Sequence, residues 1–324
     1  MNDCSPPDAI TLSIAAVERD TGLSKDTLRV WERRYGFPVP RRDAAGERAY
    51  TLPEVEKLRL VKRLMDAGHR PGRIVPLPLL QLQRLSEQTV DQAPRPEEAA
   101  LAVLGAQDLQ GPMALLRSHD VPGLRGALAL VLARVGLARF VHEVVGPLNL
   151  AVGDAWMRGQ VEIFEEHLYT ETMQVLLRQA LACLPPPQAR SDGAGAGKSV
   201  PRVLLTTFPG EPHGLGLLMA EAVLVLEGAE CVSLGVQTPL WDIALAAKAY
   251  RADIVALSFT ACLQPNQVVD GLNELRSKLP SAVSVWVGGS APVLHRRRVP
   301  GVEPMPRLLE VPLALQRWRA ERQR

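Results

Sequence analysis

The apolar run Val203-Leu204-Leu205 leads directly into Thr206-Thr207-Phe208-Pro209-Gly210-Glu211-Pro212-His213-Gly214-Leu215-Gly216, and this into the Ala-, Leu- and Glu-rich stretch from Leu217 to Leu226. A short aliphatic and β-branched run makes a buried parallel strand, and the last stretch is rich in strong helix formers. The segment between them is therefore a strand-to-helix loop, and open α/β sheets bind ligands at the carboxyl ends of their strands. Two prolines and three glycines shape the loop, which presents one carboxylate and one imidazole. A lone histidine in such a connection is commonly incidental, so the rest of the chain has to decide what His213 is for.

The C-terminal third alternates between two periodicities. Apolar runs at 202–208, 229–235, 253–259 and 282–287 are separated by helical segments near 214–227, 239–250, 266–279 and 307–322. That alternation predicts an α/β domain over 200–322, a flavodoxin- or Rossmann-like parallel sheet wrapped by helices. The third run ends in Ser258-Phe259-Thr260 and the fourth leads into Gly288-Gly289-Ser290, so three loops converge on one crevice. Forty-one residues separate Gly216 from Ser258, and 27 separate Thr260 from Gly288. A neutral imidazole is a good metal ligand, and its second nitrogen is steadied by a carboxylate, so Glu211 and His213 can act as a pair. Ser258 and Thr260 add hydroxyls, and Gly288 and Gly289 permit close approach to the backbone.

Upstream, Pro185-Pro186-Pro187 and the Gly-rich residues 191–199 read as a linker over 185–199. Its Gly197-Lys198-Ser199 has the ending of a phosphate-binding loop, but no strand precedes it and the glycine spacing is wrong, which excludes that reading. Residues 97–184 are strongly helical. Segments near 97–106, 111–119, 123–136, 138–157 and 160–184 carry apolar residues every three or four positions, which predicts a helical bundle. The polar, proline-bearing residues 86–96 before it read as a linker. Within the bundle nine residues separate Trp156 from Glu166, and His167 follows. Adjacent helical residues point about 100° apart, so Glu166 and His167 cannot both point straight away from one apolar stripe. Taken singly, Trp156 reads as core and Glu166-His167 as a solvated face; together they can line the upper surface of a ligand.

A chain of 324 residues has room for two or three domains. Its formal charge of only +2 means that any nucleic-acid surface must be local. The N-terminal residues 11–85 supply one. Ser13 caps a short helix, Thr21-Gly22-Leu23 turns the chain, and Ser24 caps a second helix from Lys25 to Tyr35 that Gly36 closes. Two short helices around a glycine-bearing turn form a helix-turn-helix, with the second helix as groove reader. Leu28 and Trp31 pointing inward leaves Lys25, Thr27, Arg29, Arg33 and Arg34 to face DNA. Residues 37–50 make two extended arms around a turn, a wing carrying Arg41, Arg42 and Arg48. Seven bases between Lys25 and Arg48 stand against the acids Asp26, Glu32, Asp43 and Glu47, a basic patch suited to phosphate contacts. A third helix begins at Pro53.

This order of Gly-Leu-Ser-x-x-Thr-Leu-Arg-x-Trp-Glu-Arg-Arg-Tyr-Gly, Arg-x-Tyr and a Leu-rich helix closely resembles the winged helix-turn-helix of MerR-type transcription regulators over about residues 11–75. The resemblance implies the second helix in the major groove and Arg29, Arg33, Arg48 and Tyr50 as leading DNA contacts. Glu211-x-His213-x-x-Gly216, Ser258-x-Thr260 and Gly288-Gly289, at their separations, resemble the cobalamin-binding module of mutases and methionine synthases. With Trp156-x9-Glu166-His167 added, the whole chain resembles cobalamin-dependent MerR regulators of the CarH/LitR type. That resemblance implies His213 as the lower cobalt ligand, a slot for the displaced benzimidazole tail beside Ser258, Thr260, Gly288 and Gly289, and Trp156, Glu166 and His167 capping the upper face. Glu211 stands where the pattern has Asp, and Met157 where some light-sensing members carry a histidine that captures cobalt after photolysis.

The expectation is a DNA-binding transcription regulator, not an enzyme and without catalytic residues, switched by cobalamin in its adenosyl or methyl form. Photoreceptor behaviour is an extension that needs adenosylcobalamin. The expected partners are double-stranded operator DNA, further copies of the chain as dimer or tetramer, and RNA polymerase. A second reading is a cobalamin-independent regulator that uses its C-terminal region only to oligomerise. A third is a cobalamin enzyme subunit, for which a substrate barrel of about 250 residues is wanting. The cysteines Cys4, Cys183, Cys231 and Cys262 are too scattered for a disulfide framework or zinc knuckle and suit a reducing cytosol. With neither a signal peptide nor a membrane span in the sequence, a cytoplasmic protein is expected.

Overall fold

The computed structural model describes residues 11–43, 46–92, 106–185 and 200–322. The chain forms two units, Met1–Pro94 with Met157–Gln160, and Arg95–Trp156 with Val161–Arg324. Most of the expected linker 185–199 and all but the last residue of the expected helical segment 97–106 lie outside the described residues, as does Cys4.

The first unit runs β1 (Thr11–Ser13), α1 (Ile14–Thr21), α2 (Lys25–Tyr35), β2 (Arg41–Arg42), β3 (Arg48–Thr51), α3 (Leu52–Asp66), α4 (Pro71–Ile74) and α5 (Leu79–Gln92). The Ser13 hydroxyl accepts from the Ala16 amide at 3.3 Å and the Ser24 hydroxyl from the Thr27 amide at 3.1 Å, satisfying orphan donors at both helix starts. Gly22 and Gly36 close the two helices at φ +69° and +67°, a left-handed conformation that glycine adopts without strain. The wing is realised as β2 and β3, but β3 also pairs with β1, giving an antiparallel sheet in the order β1-β3-β2. Val17, Leu28, Trp31, Tyr50, Leu58 and Leu64 belong to one core. Residues 86–92, expected as linker, instead continue α5. Neither Gly nor Pro interrupts the chain between Leu79 and Pro94, and the polar Ser86 is itself buried against the unit.

The second unit begins with the bundle: α6 (Ala106–Arg117), α7 (Val121–Val135), α8 (Leu137–Arg139), a π-helical turn (Phe140–Val145), α9 (Gly146–Met157) and α10 (Ile163–Ala182). In the π turn the Gly146 amide donates to the Val141 carbonyl. The next residue, Pro147, has no N–H, and its ring would clash with the carbonyl four residues back in a regular helix, so a widened turn accommodates it.

The α/β part runs β4 (Arg202–Thr206), α11 (Leu215–Leu226), β5 (Glu230–Ser233), α12 (Leu240–Ala249), β6 (Ile254–Ser258), α13 (Pro265–Lys278), β7 (Ser284–Gly288), α14 (Val293–Arg296), β8 (Val302–Met305) and α15 (Val311–Arg322). All neighbours are parallel, in the order β5-β4-β6-β7-β8. Four of these strands match the expected runs. The edge strand β8 does not, because its Val-Glu-Pro-Met carries a proline that only an edge tolerates. Strand alternation sends Leu204, Val255, Leu257 and Val287 to the core under α12 and α13, and Val203, Leu205, Ile254 and Trp286 to the opposite face. On that second face α11, α15 and the bundle share a single core. The bundle and the sheet, expected as domains 97–184 and 200–322, are thus packed as one body. No described helix is long and apolar enough to cross a membrane.

Candidate functional site

Strand order reverses between β4 and β6, so the loops after these two strands flank a topological switch point, where such sheets bind ligands. Glu211 and His213 lie in the first loop and Thr260 in the second. Glu211 is fully buried, which is costly for a carboxylate unless it is paired. Its Oε1 lies 2.7 Å from His213 Nδ1 and accepts from the His213 amide at 3.2 Å. Its Oε2 accepts from the Thr260 amide at 2.6 Å, and the Thr260 hydroxyl reaches both oxygens at 2.9–3.0 Å. Burial pushes the Glu211 carboxyl up, but the bonds from His213 and from the Thr260 amide and hydroxyl outweigh it and hold the group below its ordinary value.

The short contact to a carboxylate places the proton of a neutral His213 on Nδ1 and leaves the Nε2 lone pair available. Among the described residues the ring's polar contacts run through Nδ1, which also lies 3.3 Å from Thr260 Oγ1 and 3.6 Å from Cys262 Sγ. The side chain is half exposed. The Cys262 sulfur and, next, the Glu211 carboxylate raise His213 to about 10, against a lowering effect of burial.

Two buried threonines fix the loop. Thr207 Oγ1 donates to the Glu211 carbonyl at 2.6 Å and accepts from the Gln237 amide at 2.8 Å, while Thr206 Oγ1 donates to the Gly235 carbonyl at 3.0 Å. Thr206, Thr207 and Cys262 were not singled out as site residues in the sequence. The cysteine's signal was its place two residues beyond Thr260 in a loop at the same sheet edge.

The glycines of the site lie close to the protein's own atoms. Gly289 has φ +107°, and a Cβ there would stand 2.1 Å from the Phe259 carbonyl oxygen. Its freedom is required by the protein's own backbone, which joins the loops after β6 and β7. A Cβ on Gly288 would approach the Met305 carbonyl to 3.3 Å, and one on Gly216 would approach Ser258 Oγ to 3.2 Å. Gly216 thereby lets the first turn of α11 lie against the end of β6.

In the bundle, Trp156 lies in the last turn of α9, half-buried against the shared core, and Glu166 and His167 lie in the first turns of α10. Glu166 accepts from the Thr170 hydroxyl at 2.8 Å, and its other oxygen lies 3.7 Å from Nε2 of the exposed His167. One helical turn on, the Tyr169 hydroxyl donates to Asn149 Oδ1 at 2.5 Å, and Asn149 Nδ2 contacts Met219 Sδ at 3.4 Å. Burial pushes the Tyr169 phenol far up, so it remains a neutral donor. These contacts link α10, through Asn149 of α9, to the first turns of α11, the helix that follows His213. Glu166, three residues before Tyr169, shares its helix face.

On the first unit, Arg29, Arg33, Arg34, Arg41 and Arg42 are exposed, and Lys25 and Thr27 are partly so. Arg48 is committed to an ion pair with Glu32 at 2.9 Å, which ties the wing to α2. Tyr50, expected to touch DNA, is instead fully buried and its hydroxyl has no partner among the described residues. Strand alternation explains this: β3 turns Tyr50 onto the hydrophobic core.

Family models match at residues 12–77, "MerR HTH family regulatory protein", and at residues 114–180 and 201–303, each "B12 binding domain". The chain is 31% identical over 275 residues to the HTH-type transcriptional repressor CarH of Myxococcus xanthus, covering 85% of this chain and 87% of that protein. It is 30% identical to the HTH-type transcriptional repressor CarA of the same organism, covering 90% of each. In fold it is similar to the monomethylamine corrinoid protein of Methanosarcina barkeri, with a TM-score of 0.50 at 16% identity, over 65% of this chain and 98% of that one.

Proposed function

The chain belongs to the MerR-type transcription regulators that carry cobalamin-binding domains, and we propose that the bound cofactor switches its hold on operator DNA. The observation that carries this reading is the Glu211–His213 pair at the switch point, with Nδ1 engaged at 2.7 Å and Nε2 available. That donor set suits a corrinoid: an imidazole of fixed tautomer, its carboxylate partner buried and anchored by Thr260. His213 would hold the cobalt from below, Ser258 and Thr260 would stand beside the tail, and Trp156, Glu166 and His167 would cover the upper face. When bound, cobalamin would supply a cobalt centre that an imidazole can ligate and a light-sensitive cobalt–carbon bond. The adenosyl form suits the indole, carboxylate and imidazole of the cap.

DNA binding is assigned to residues 11–85, with Arg29, Arg33, Arg34, Arg41 and Arg42 as the phosphate-facing set. A switch requires that the cofactor bind one assembly state better than another, and a dimer or tetramer of the chain would match paired half-sites on double-stranded DNA. The test is to mix purified protein with adenosylcobalamin in the dark and follow co-elution, spectrum and operator binding before and after illumination. Protein-bound cobalamin whose spectrum changes in His213→Ala supports the reading. Failure to take up cobalamin would return the chain to a cofactor-independent regulator.

A further inference from the structure

Glu211, His213 and Cys262 present a carboxylate oxygen, an imidazole nitrogen and a sulfur that all lie within 4.8 Å of one another. The three residues come from two loops, after β4 and after β6, that the sheet holds side by side. We propose that these side chains form a binding site for a zinc-class divalent ion in the cobalamin-free protein. The site does not depend on the cobalamin reading, although both use the same imidazole.

The geometry is close to what such an ion needs. Zinc bonds of about 2.0–2.1 Å to nitrogen and about 2.3 Å to sulfur place the two donors about 3.6 Å apart at a tetrahedral angle. Cys262 Sγ and His213 Nδ1 are already 3.6 Å apart. The Glu211–His213 contact, at 2.7 Å, would open to about 3.4 Å, as when a shared proton gives way to a metal. Thr260 keeps hold of Glu211 Oε2 through its amide at 2.6 Å, so Oε1 can turn to the ion without releasing the carboxylate. Cys262 and His213 are both partly accessible, which gives the ion a way in and leaves its fourth position to water, the three-plus-one pattern of open zinc sites.

The proton balance is explicit. On binding, the Cys262 thiol and the Nδ1 of the His213 imidazolium each release a proton to solvent, which leaves a neutral ring with its proton on Nε2. Thiolate and carboxylate together neutralise the dication. A ring protonated on Nε2 cannot use that nitrogen as a cobalt ligand. The metal-loaded and cobalt-ready states of His213 are therefore mutually exclusive.

The experiment titrates cobalamin-free full-length protein with Co²⁺ as a spectroscopic probe and then displaces it with Zn²⁺. One equivalent should produce a thiolate-to-cobalt charge-transfer band that Zn²⁺ removes. The band should vanish in Cys262→Ala and persist in Cys183→Ala, whose cysteine is exposed elsewhere. Absence of the band, or its survival in Cys262→Ala, overturns the proposal. A second measurement needs no variant: Zn²⁺ should slow alkylation of Cys262, read by peptide mass, by about tenfold or more, since the free thiolate is the nucleophile. An unchanged rate also overturns the proposal. Neither experiment contains cobalamin, so failure here leaves cobalamin uptake a separate question.

Discussion

Glu211 Oε1 and His213 Nδ1 are 2.7 Å apart, so the additional methylene of glutamate is absorbed without loss of the carboxylate–imidazole bond. The carboxylate is drawn back under the loop by Thr260, which binds it through both amide and hydroxyl. Glu211→Gln would put an NH₂ group against at least one of these donors. Cobalamin affinity should fall roughly ten- to hundredfold, as for other partners that orient a metal-bound histidine. A dark spectrophotometric titration measures it, and an unchanged affinity would remove Glu211 from the site.

The same pair gives the site a pH dependence. His213 is raised to about 10, chiefly by the Cys262 sulfur and then by Glu211, so at neutral pH a proton on Nε2 competes with cobalt. His213 coordination should therefore strengthen as pH rises toward 10, and Glu211→Gln should move that dependence to lower pH. The visible spectrum of the dark complex from pH 6 to 9 reads it directly. The shift from 6.5 also stabilises the folded chain; that contribution is complete below 6.5 and is lost as pH rises through about 10.

Gly289→Ala should be among the most damaging single changes. Its backbone at φ +107° and the Phe259 carbonyl 2.1 Å from the added carbon leave no relaxed position. A cost of about 3 kcal/mol or more is expected, seen as a lowered melting transition together with lost cofactor uptake. A variant that melts like the wild type would mean that the loops after β6 and β7 can separate freely.

For the DNA surface, Arg33→Ala should weaken binding to all sequences and reduce the salt slope by about one unit. Tyr50→Phe should leave DNA affinity unchanged, because the buried phenol does not reach the surface. Removing an unpartnered buried hydroxyl should leave stability equal or higher by about 1 kcal/mol. Mobility shift across a salt series and thermal melting separate the two variants. A Tyr50→Phe protein with impaired binding would show that the wing rearranges on DNA.

The parts of the chain that were legible in sequence share a local cause. Ser13, Ser24, Gly22 and Gly36 act within one helical turn, so the helix-turn-helix boundaries could be read directly. The strands β4, β6 and β7 are interior to the sheet and buried along most of their length, so they run as largely apolar stretches. Features set by distant partners were hidden. Thr11–Ser13 is a strand only because Ala49–Thr51 pairs with it, and β8 is a strand despite Pro304 because it lies at an edge. In the site, Glu211 and His213 could be paired from their spacing. Cys262 offered only its place two residues beyond Thr260; its 3.6 Å approach to His213 depends on how the loops after β4 and β6 fold back on each other. Tyr50 was misplaced for a related reason: alternation fixes two faces of β3, but only the position of the core decides which face is inside.

The widened turn at Phe140–Val145 sets the angular register of everything after it in that helix. One residue corresponds to about 100° of rotation, so closing the bulge into a regular turn without removing a residue would swing Asn149 and Trp156 by about that angle. Asn149 would leave Tyr169 and Met219, and the indole would leave its seat in the shared core. The bundle's fit to the sheet is thus indexed by one surplus residue.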